Sequence, residues 1–390
     1  MSRPLLLIFL IVLVNLLGFG IIIPLLPFYA TRMGATPLEV GWLFASFSLA
    51  QLVAAPVLGD LSDRYGRRPV LIVSLLGTVA SFVVLALARS VPVLFLARII
   101  DGLSGGNIST ARAYIGDVTS EEHRARGYGL LGAAFGVGFI AGPALGGALS
   151  RISYAAPAWA AAGIAALAAL LAYRLLPETV HRVSARRPGG WTDLPAALAH
   201  PVLGRLLAAD FLYWASISVY QTAFALFGAR RFGFDVPQTG YLLALVGTIG
   251  AVVQVALVGP VVRRLGERRT LVVGLLLAGG GLAVASGTHR VAPFVLALVP
   301  AAVGAALATP ALTSLISLSA PPGEQGRVQG VASSLEGLGR AIGPVWGNGL
   351  LGAVGETAAF GSAAGVILVT AGLAARVRPS VPAPEATAGR

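Results

Sequence analysis

The chain has 390 residues, of which 56% are hydrophobic and only 11% charged, against roughly a quarter charged in a soluble globular protein. So few charges cannot coat a water-facing surface, which excludes an ordinary soluble domain. The formal net charge of +12 would suit a nucleic-acid partner, but every basic residue is Arg and the arginines sit in short segments between apolar runs, a distribution that sets membrane topology. No nucleic-acid partner is therefore expected, and the absence of Cys rules out disulfides and thiolate metal sites.

Apolar runs of roughly 18 or more residues can cross a bilayer as helices, because a helix satisfies its own backbone where water is absent. Twelve spans are expected in chain order, at 5–30, 38–58, 70–88, 92–111, 127–149, 154–176, 203–229, 238–261, 270–287, 291–315, 327–349 and 355–377. The first is too long for a signal peptide, carries Pro24 and Pro27 near its far end and lacks a small-residue cleavage pattern, so it reads as a retained span. Polar side chains within spans, Asn15, Gln51, Gln221 and Gln254, are candidates to line a substrate cavity.

Between spans two and three lies Gly59-Asp-Leu-Ser-Asp63-Arg64-Tyr-Gly66-Arg67-Arg68. The two glycines allow a tight turn, and Asp63 beside Arg64, Arg67 and Arg68 makes a fixed ionic cluster. An arginine-rich loop with an incidental acid is the plainer alternative; recurrence of the spacing in the second half of the chain speaks against it. Span four carries Arg98-Ile-Ile-Asp101-Gly102. An Arg inside a span is costly and usually functional, although Asp101 at i+3 also suits a self-neutralising structural pair. Span four is followed by Arg112-Ala-Tyr-Ile-Gly-Asp117. Span five reads Gly132-Ala-Ala-Phe-Gly136-Val-Gly138-Phe-Ile-Ala-Gly142-Pro143-Ala-Leu-Gly146-Gly147. Small residues at i+4 let helices approach closely, and Pro143 removes a backbone hydrogen bond and bends the helix.

The longest polar interruption, Pro177–His200, separates two similar halves. The expected organisation is an N-terminal six-helix half at 1–176, a central loop at 177–202, a C-terminal six-helix half at 203–377 and a tail at 378–390. Gly59–Arg68 aligns with Gly259-Pro-Val-Val-Arg263-Arg264-Leu-Gly266-Glu267-Arg268, and Gly142-Pro143-Ala-Leu-Gly146 with Gly343-Pro344-Val-Trp-Gly347. Two copies in the same orientation imply halves related by an axis along the membrane normal, with the substrate site between them near the midplane. With the N-terminus inside, the cytoplasmic loops and tails carry about 20 Arg and the opposite side about six, which places both termini and the central loop in the cytoplasm.

Three acids lie deep in spans: Asp101, Asp210 and Glu336. Asp101 has Arg98 at i−3 and Glu336 has Arg340 at i+4, and a neighbouring cation holds a carboxylate ionised. Asp210 has no basic residue within a turn. It is therefore the first candidate for reversible protonation, unless it simply braces span seven against a polar group elsewhere. An enzyme is not expected. No intramembrane His/Asp metal spacing, Gly-rich phosphate loop or Ser–His constellation is present, and His123, His181, His200 and His289 fall in loops. No metal and no cofactor are expected.

The Gly59–Arg68 loop resembles the signature loop of the major facilitator superfamily, and the wider chain is most similar to its twelve-span drug:proton antiporters, the branch that includes the tetracycline exporters. The resemblance covers Gly18–Pro27, Gly59–Leu75, Ala113–Gly147, Arg231–Gly233, Gln254 and Glu324 through Pro344. It implies an all-α membrane protein, twelve transmembrane helices in two pseudo-symmetric six-helix halves. It further implies that Asp63, Arg67 and Arg68 latch the halves in the outward-facing state, the acid lying near the start of span eleven, with Asp117 as partner acid. Arg98 and Gly102 match the family's span-four motif, whose Arg is linked to proton transfer. The Gly138, Gly142, Pro143 and Gly146 string matches the motif of exporters. The expected function is proton-coupled export, by antiport and alternating access, of small amphipathic molecules; the alternative is a proton symporter or facilitator for a sugar or other metabolite. Expected partners are a small-molecule substrate, protons and the lipid of the cell inner membrane, with the chain a monomer. Four positions depart from the tetracycline exporters: Asn15 replaces an Asp, Ser81 an Asp, Gly250 a His and Ala278 an Asp. Conversely, Asp101, Asp210, Glu336 and Arg340 appear where those exporters are uncharged.

Overall fold

The computed structural model describes residues 3–105, 107–119, 121–179, 194–321 and 324–377, without the side chains of 3–4, 107–109 and 121–128. The side chain of His123, all of His181, most of the expected central loop and the expected tail lie outside the described residues.

Among the described residues fourteen helices follow one another: α1 (Arg3–Arg32), α2 (Pro37–Tyr65), α3 (Arg67–Ala86), α4 (Val91–Ser104), α5 (Asn107–Val118), α6 (Glu121–Ser150), α7 (Ala156–Leu175), α8 (Leu194–Ala199), α9 (Leu203–Phe232), α10 (Val236–Ala256), α11 (Val258–Gly287), α12 (Val291–Leu318), α13 (Gln325–Ala353) and α14 (Glu356–Ala375). No strand occurs among the described residues. Nine of the helices are long and apolar enough to cross a membrane. The expected crossings outside these nine are α9, with Asp210 buried in it, α13, with Glu336 and Arg340 half-buried, and the broken pair α4/α5, with Arg98 and Asp101 buried in α4.

Local chemistry explains the ends. Thr36 caps α2 in a capping box with Glu39, and Asp235 does the same for α10 with Gln238, each satisfying donors that the first turn leaves orphaned. Span four departs from expectation. It breaks after Ser104 at Gly105 and resumes as α5, which runs to Val118 rather than ending near residue 111. The Gln51 amide donates to the Gly105 carbonyl at 2.9 Å, satisfying an acceptor that the helix end leaves free. The expected loop between spans two and three is also corrected. Residues 59–65 are helical, and Gly66 alone, at φ 104°, makes the turn. Gly266 at φ 75° kinks α11 at the equivalent place, a conformation that costs glycine nothing. The short helix α8 lies inside the expected central loop and was not foreseen.

The halves pack alike. In the first, a Cβ at Gly142 would lie 2.7 Å from the Gly20 Cα, and one at Gly146 would meet the Ile21 carbonyl of α1 at 2.5 Å. In the second, Gly339 meets the Phe211 carbonyl at 3.0 Å, and Gly343 and Gly347 face Ala215 and Val219 of α9. Small residues thus bring the backbones of α6 and α1, and of α13 and α9, into direct contact.

Candidate transport site

At the end of the bundle bearing Gly66, an ionic network ties α2, α3, α5 and the segment after α7. Asp63 pairs with Arg67 at 2.5 Å, and the same guanidinium reaches Asp117 at 3.3 Å. The sequence motif did not reveal Glu178, which accepts the backbone N–H of Arg67 at 2.9 Å and of Arg68 at 3.2 Å. It caps the start of α3, where a carboxylate also complements the helix dipole. Arg68 donates to the Tyr173 carbonyl at 2.6 Å. Among the described residues Arg64 pairs with Asp60 alone, at 3.0 Å and exposed on both sides, a contact worth little. Gly59 makes no turn and has open space around it. Asp63, Arg67 and Asp117 therefore form one cluster, to which Arg68 is joined only through its backbone N–H on Glu178 while its guanidinium turns to Tyr173, and these contacts stay within the first half. Among the described residues Asp63 makes no hydrogen bond or ion pair with α13.

In α4, Arg98 and Asp101 form a direct ion pair at 2.6 Å, both buried, with the guanidinium 4.2 Å over the Phe47 ring of α2. Ser81 of α3 sits beside the Asp101 carboxyl. The Glu336–Arg340 pair is different. Arg340 lies over Trp214 at 5.3 Å and makes no direct ion pair with Glu336 among the described residues. Because Gly339 and Gly343 let α13 press onto α9, Arg340 and Glu336 both come within electrostatic range of Asp210. Asp210, which on its own helix has no cationic neighbour, thus shares a cluster with the other two. Its Oδ2 is buried without a hydrogen-bond partner. The Tyr213 hydroxyl beside it bonds with Thr309 at 2.8 Å.

A cavity of about 540 Å³ opens at the same end of the bundle as Gly66, lined by Gln254, Thr309, Pro310, Thr313, Ser314, Ser317, Leu318 and Gln329. Of the four expected cavity residues only Gln254 lines it. Gln51 is engaged with Gly105, the Asn15 amide nitrogen is buried without a partner, and Gln221 is half-buried on α9. The hydroxyls were not anticipated, although Thr309, Thr313 and Ser317 recur at i+4 on α12.

The interface between the halves widens towards this end. Along α6 and α10, a Cβ at Gly147 would lie 3.1 Å from Pro237, one at Gly247 would lie 2.8 Å from the Phe139 carbonyl, one at Gly136 3.9 Å from Ala251, and Gly132 and Gly129 meet nothing within 4 Å. Along α2 and α13, Gly41 meets the Pro344 carbonyl at 2.5 Å, whereas Gly326 meets nothing within 4 Å. The halves are in close contact at one end and apart at the end bearing Gly66, which explains why, among the described residues, Asp63 makes no hydrogen bond or ion pair with α13.

The sequence matches the Major Facilitator Superfamily over residues 8–258 and 255–390. It is 37% identical over 354 residues to a tetracycline resistance protein, class G, of Vibrio anguillarum, covering 86% of this chain and 87% of the relative. It is 31% identical over 354 residues to multidrug resistance protein 2 of Bacillus subtilis, covering 87% and 88%. Among solved structures, the human organic anion transporter TETRAN is 28% identical with a TM-score of 0.72, covering 95% of this chain and 99% of that one. An inward-facing, occupied bacterial homologue of the lysosomal transporter Spinster has a TM-score of 0.81 at 17% identity, covering 97% and 98%; that likeness speaks to fold alone.

Proposed function

Because this chain belongs to the Major Facilitator Superfamily, a family of multi-pass membrane transporters rather than enzymes, we propose that it is a proton-coupled exporter that exchanges protons for small amphipathic molecules by alternating access. The relatives at 31–37% identity named for tetracycline or multidrug resistance support export. The observation that carries proton coupling is the Asp210, Glu336 and Arg340 cluster, a set of ionisable groups inside the membrane that would otherwise be expensive to keep there. Arginine distribution supports a cytoplasmic placement of both termini in the cell inner membrane, which makes the open end cytoplasmic and the captured state inward-open. The halves at 1–176 and 203–377 are the rocking units, and a monomer in lipid holds a complete pathway.

In this reading Asp210 is the first proton carrier, Arg98 and Asp101 order the N-terminal wall, and Glu336 and Arg340 set the field around substrate and proton. Asp63, Arg64, Arg67, Arg68 and Asp117, hinged at Gly66, form the latch. The Gly138, Gly142, Pro143 and Gly146 face of α6 holds α1 close. The test is flux into proteoliposomes with an imposed pH gradient. Uphill accumulation of an amphipathic dye only when the gradient drives protons against it supports antiport; accumulation with the proton gradient reversed would make the chain a symporter.

A further inference from the structure

The cavity at the open end differs in chemistry from the ionic cluster around Asp210. At about 540 Å³ it has the size of a small-molecule site, and among the described residues no charged side chain lines it. Its polar groups come from three helices: Gln254 of α10, Thr309, Thr313 and Ser317 of α12, and Gln329 of α13. The α12 residues recur at every fourth position and so share one face. Glu336 stands two turns beyond Gln329 on α13 and is not part of the lining. The cavity borders the gap between the halves: Ala251, one turn before Gln254 on α10, is the residue that a Cβ at Gly136 of α6 would meet at 3.9 Å.

The hydroxyl hydrogens on this face are already committed. Thr313 donates to the Thr309 carbonyl at 3.1 Å, and Thr309 to the Ala305 carbonyl at 3.0 Å. A hydroxyl has one donor and two acceptor lone pairs, so both side chains are left to act as acceptors. The Tyr213 hydroxyl of α9 lies 2.8 Å from Thr309, and this buried ring anchors that end of the row. Gln329 directs an amide hydrogen to the Thr313 carbonyl at 3.4 Å, which leaves its amide oxygen to accept. Gln254 makes no hydrogen bond among the described residues, so its amide can both accept and donate.

A ligand that complements this lining brings O–H or N–H donors. An ammonium group would also donate, but no carboxylate lines the cavity to answer its charge. Alternating access, on the export reading above, closes the site over whatever it holds, and a charge enclosed without a partner is costly. A neutral hydroxyl is accommodated once it is hydrogen-bonded. Resting on that reading, we propose that this cavity is a substrate subsite for an uncharged, hydroxyl-rich headgroup, such as the sugar of an amphipathic glycoside, which donates to Thr313, Gln254 and Gln329.

The test uses the purified full chain in lipid nanodiscs and four matched fluorescent probes. These are a methylumbelliferyl β-glucoside, its fully O-methylated form, which keeps the acceptors and loses the donors, the glucuronide, which adds an anion, and the aminoglucoside, which adds a cation. Equilibrium binding should favour the glucoside over the O-methylated form by about tenfold, and neither charged probe should bind more tightly than the glucoside. Thr313→Val should weaken the glucoside by about fivefold, the scale of one neutral hydrogen bond, and leave the O-methylated form unchanged; Thr313→Ser should retain most of the affinity. Thr248→Val, at an α10 threonine outside the lining that bonds its own helix in the same way, should alter no probe. An O-methylated form that binds as tightly as the glucoside, a charged probe that binds more tightly, an equal loss for both neutral probes in Thr313→Val, or no binding of the glucoside overturns the assignment. If the binding pattern is found but no pH gradient accumulates the glucoside in proteoliposomes, the subsite stands and the export reading falls.

Discussion

Asp210 shows how much a single side chain depends on its tertiary neighbours. Its own helix offers no cation within a turn, so sequence spacing alone isolates it. The glycines of α13 undo that isolation by letting Arg340 and Glu336 approach it. A carboxylate whose Oδ2 has no hydrogen-bond donor is free to take a proton, whereas Asp101 is tied to Arg98 at 2.6 Å. Asp210→Asn keeps the shape and removes the titration. The variant is expected to insert normally and to exchange substrate down its gradient, but to lose pH-driven accumulation in proteoliposomes. Retained uphill export, with Glu336→Gln inactive, would move the proton to Glu336. The positions that differ from the tetracycline exporters also acquire a physical meaning. The acid missing at Ser81 has a counterpart in Asp101, which lies beside Ser81 but is neutralised by Arg98. The carboxylates this chain carries instead, Asp210 and Glu336, lie on α9 and α13 and not at positions 15 and 278, so a cationic drug–metal complex would be desolvated without an anionic partner at those two positions. Cells overproducing the protein should therefore gain no tetracycline resistance. Clear resistance with the protein correctly inserted would show that the rebuilt lining suffices.

At the level of helices, most crossings were legible because long apolar runs admit few other structures. What escaped notice was set by packing. The break at Gly105 depends on Gln51 from another helix, and Glu178, remote in sequence from Arg67, has no local signal at all. The small-residue seams were half-visible: the Gly142 and Gly343 strings aligned in sequence, but only their contacts show that each serves the same pairing, α6 on α1 and α13 on α9. These seams make a sharp comparison. A Cβ at Gly343 would run into the Ala215 backbone of α9, whereas one at Gly132 meets nothing within 4 Å. Overpacking of this kind costs about 1–3 kcal/mol, and backbone cannot rotate aside. Gly343→Ala should lower the thermal unfolding midpoint in detergent by several degrees and depress transport, while Gly132→Ala should leave both unchanged. Equal effects would mean that the α9–α13 contact adapts freely.

For the whole molecule, the decisive feature is that the cluster around Asp63 is assembled while the halves are apart at that end. A ligand or side chain moves a two-state equilibrium only through its differential interaction with the two states. In the open state Asp63 answers Arg67, and Arg67 is also held by Asp117 and Ser62, so loss of Asp63 leaves that arginine partnered. In the closed state the same acid would lie near the first turn of α13, where a carboxylate complements exposed N–H groups and the helix dipole. Its removal should therefore cost the closed state more. Asp63→Asn is expected to shift the population towards the open arrangement by about 1–2 kcal/mol, the scale of one favourable charge–helix-end contact together with its hydrogen bond. The chain has no Cys, so single cysteines for spin labels can be introduced without background, one near the end of α2 and one near the start of α13. Their distance distribution should shift from a mixture of short and long separations towards the long one in Asp63→Asn, and the change should vanish in the Asp63→Glu variant. An unchanged distribution in Asp63→Asn would leave Asp63 as a local brace for Arg67, and the control of closure would then belong to Glu178 and the cap it places on α3.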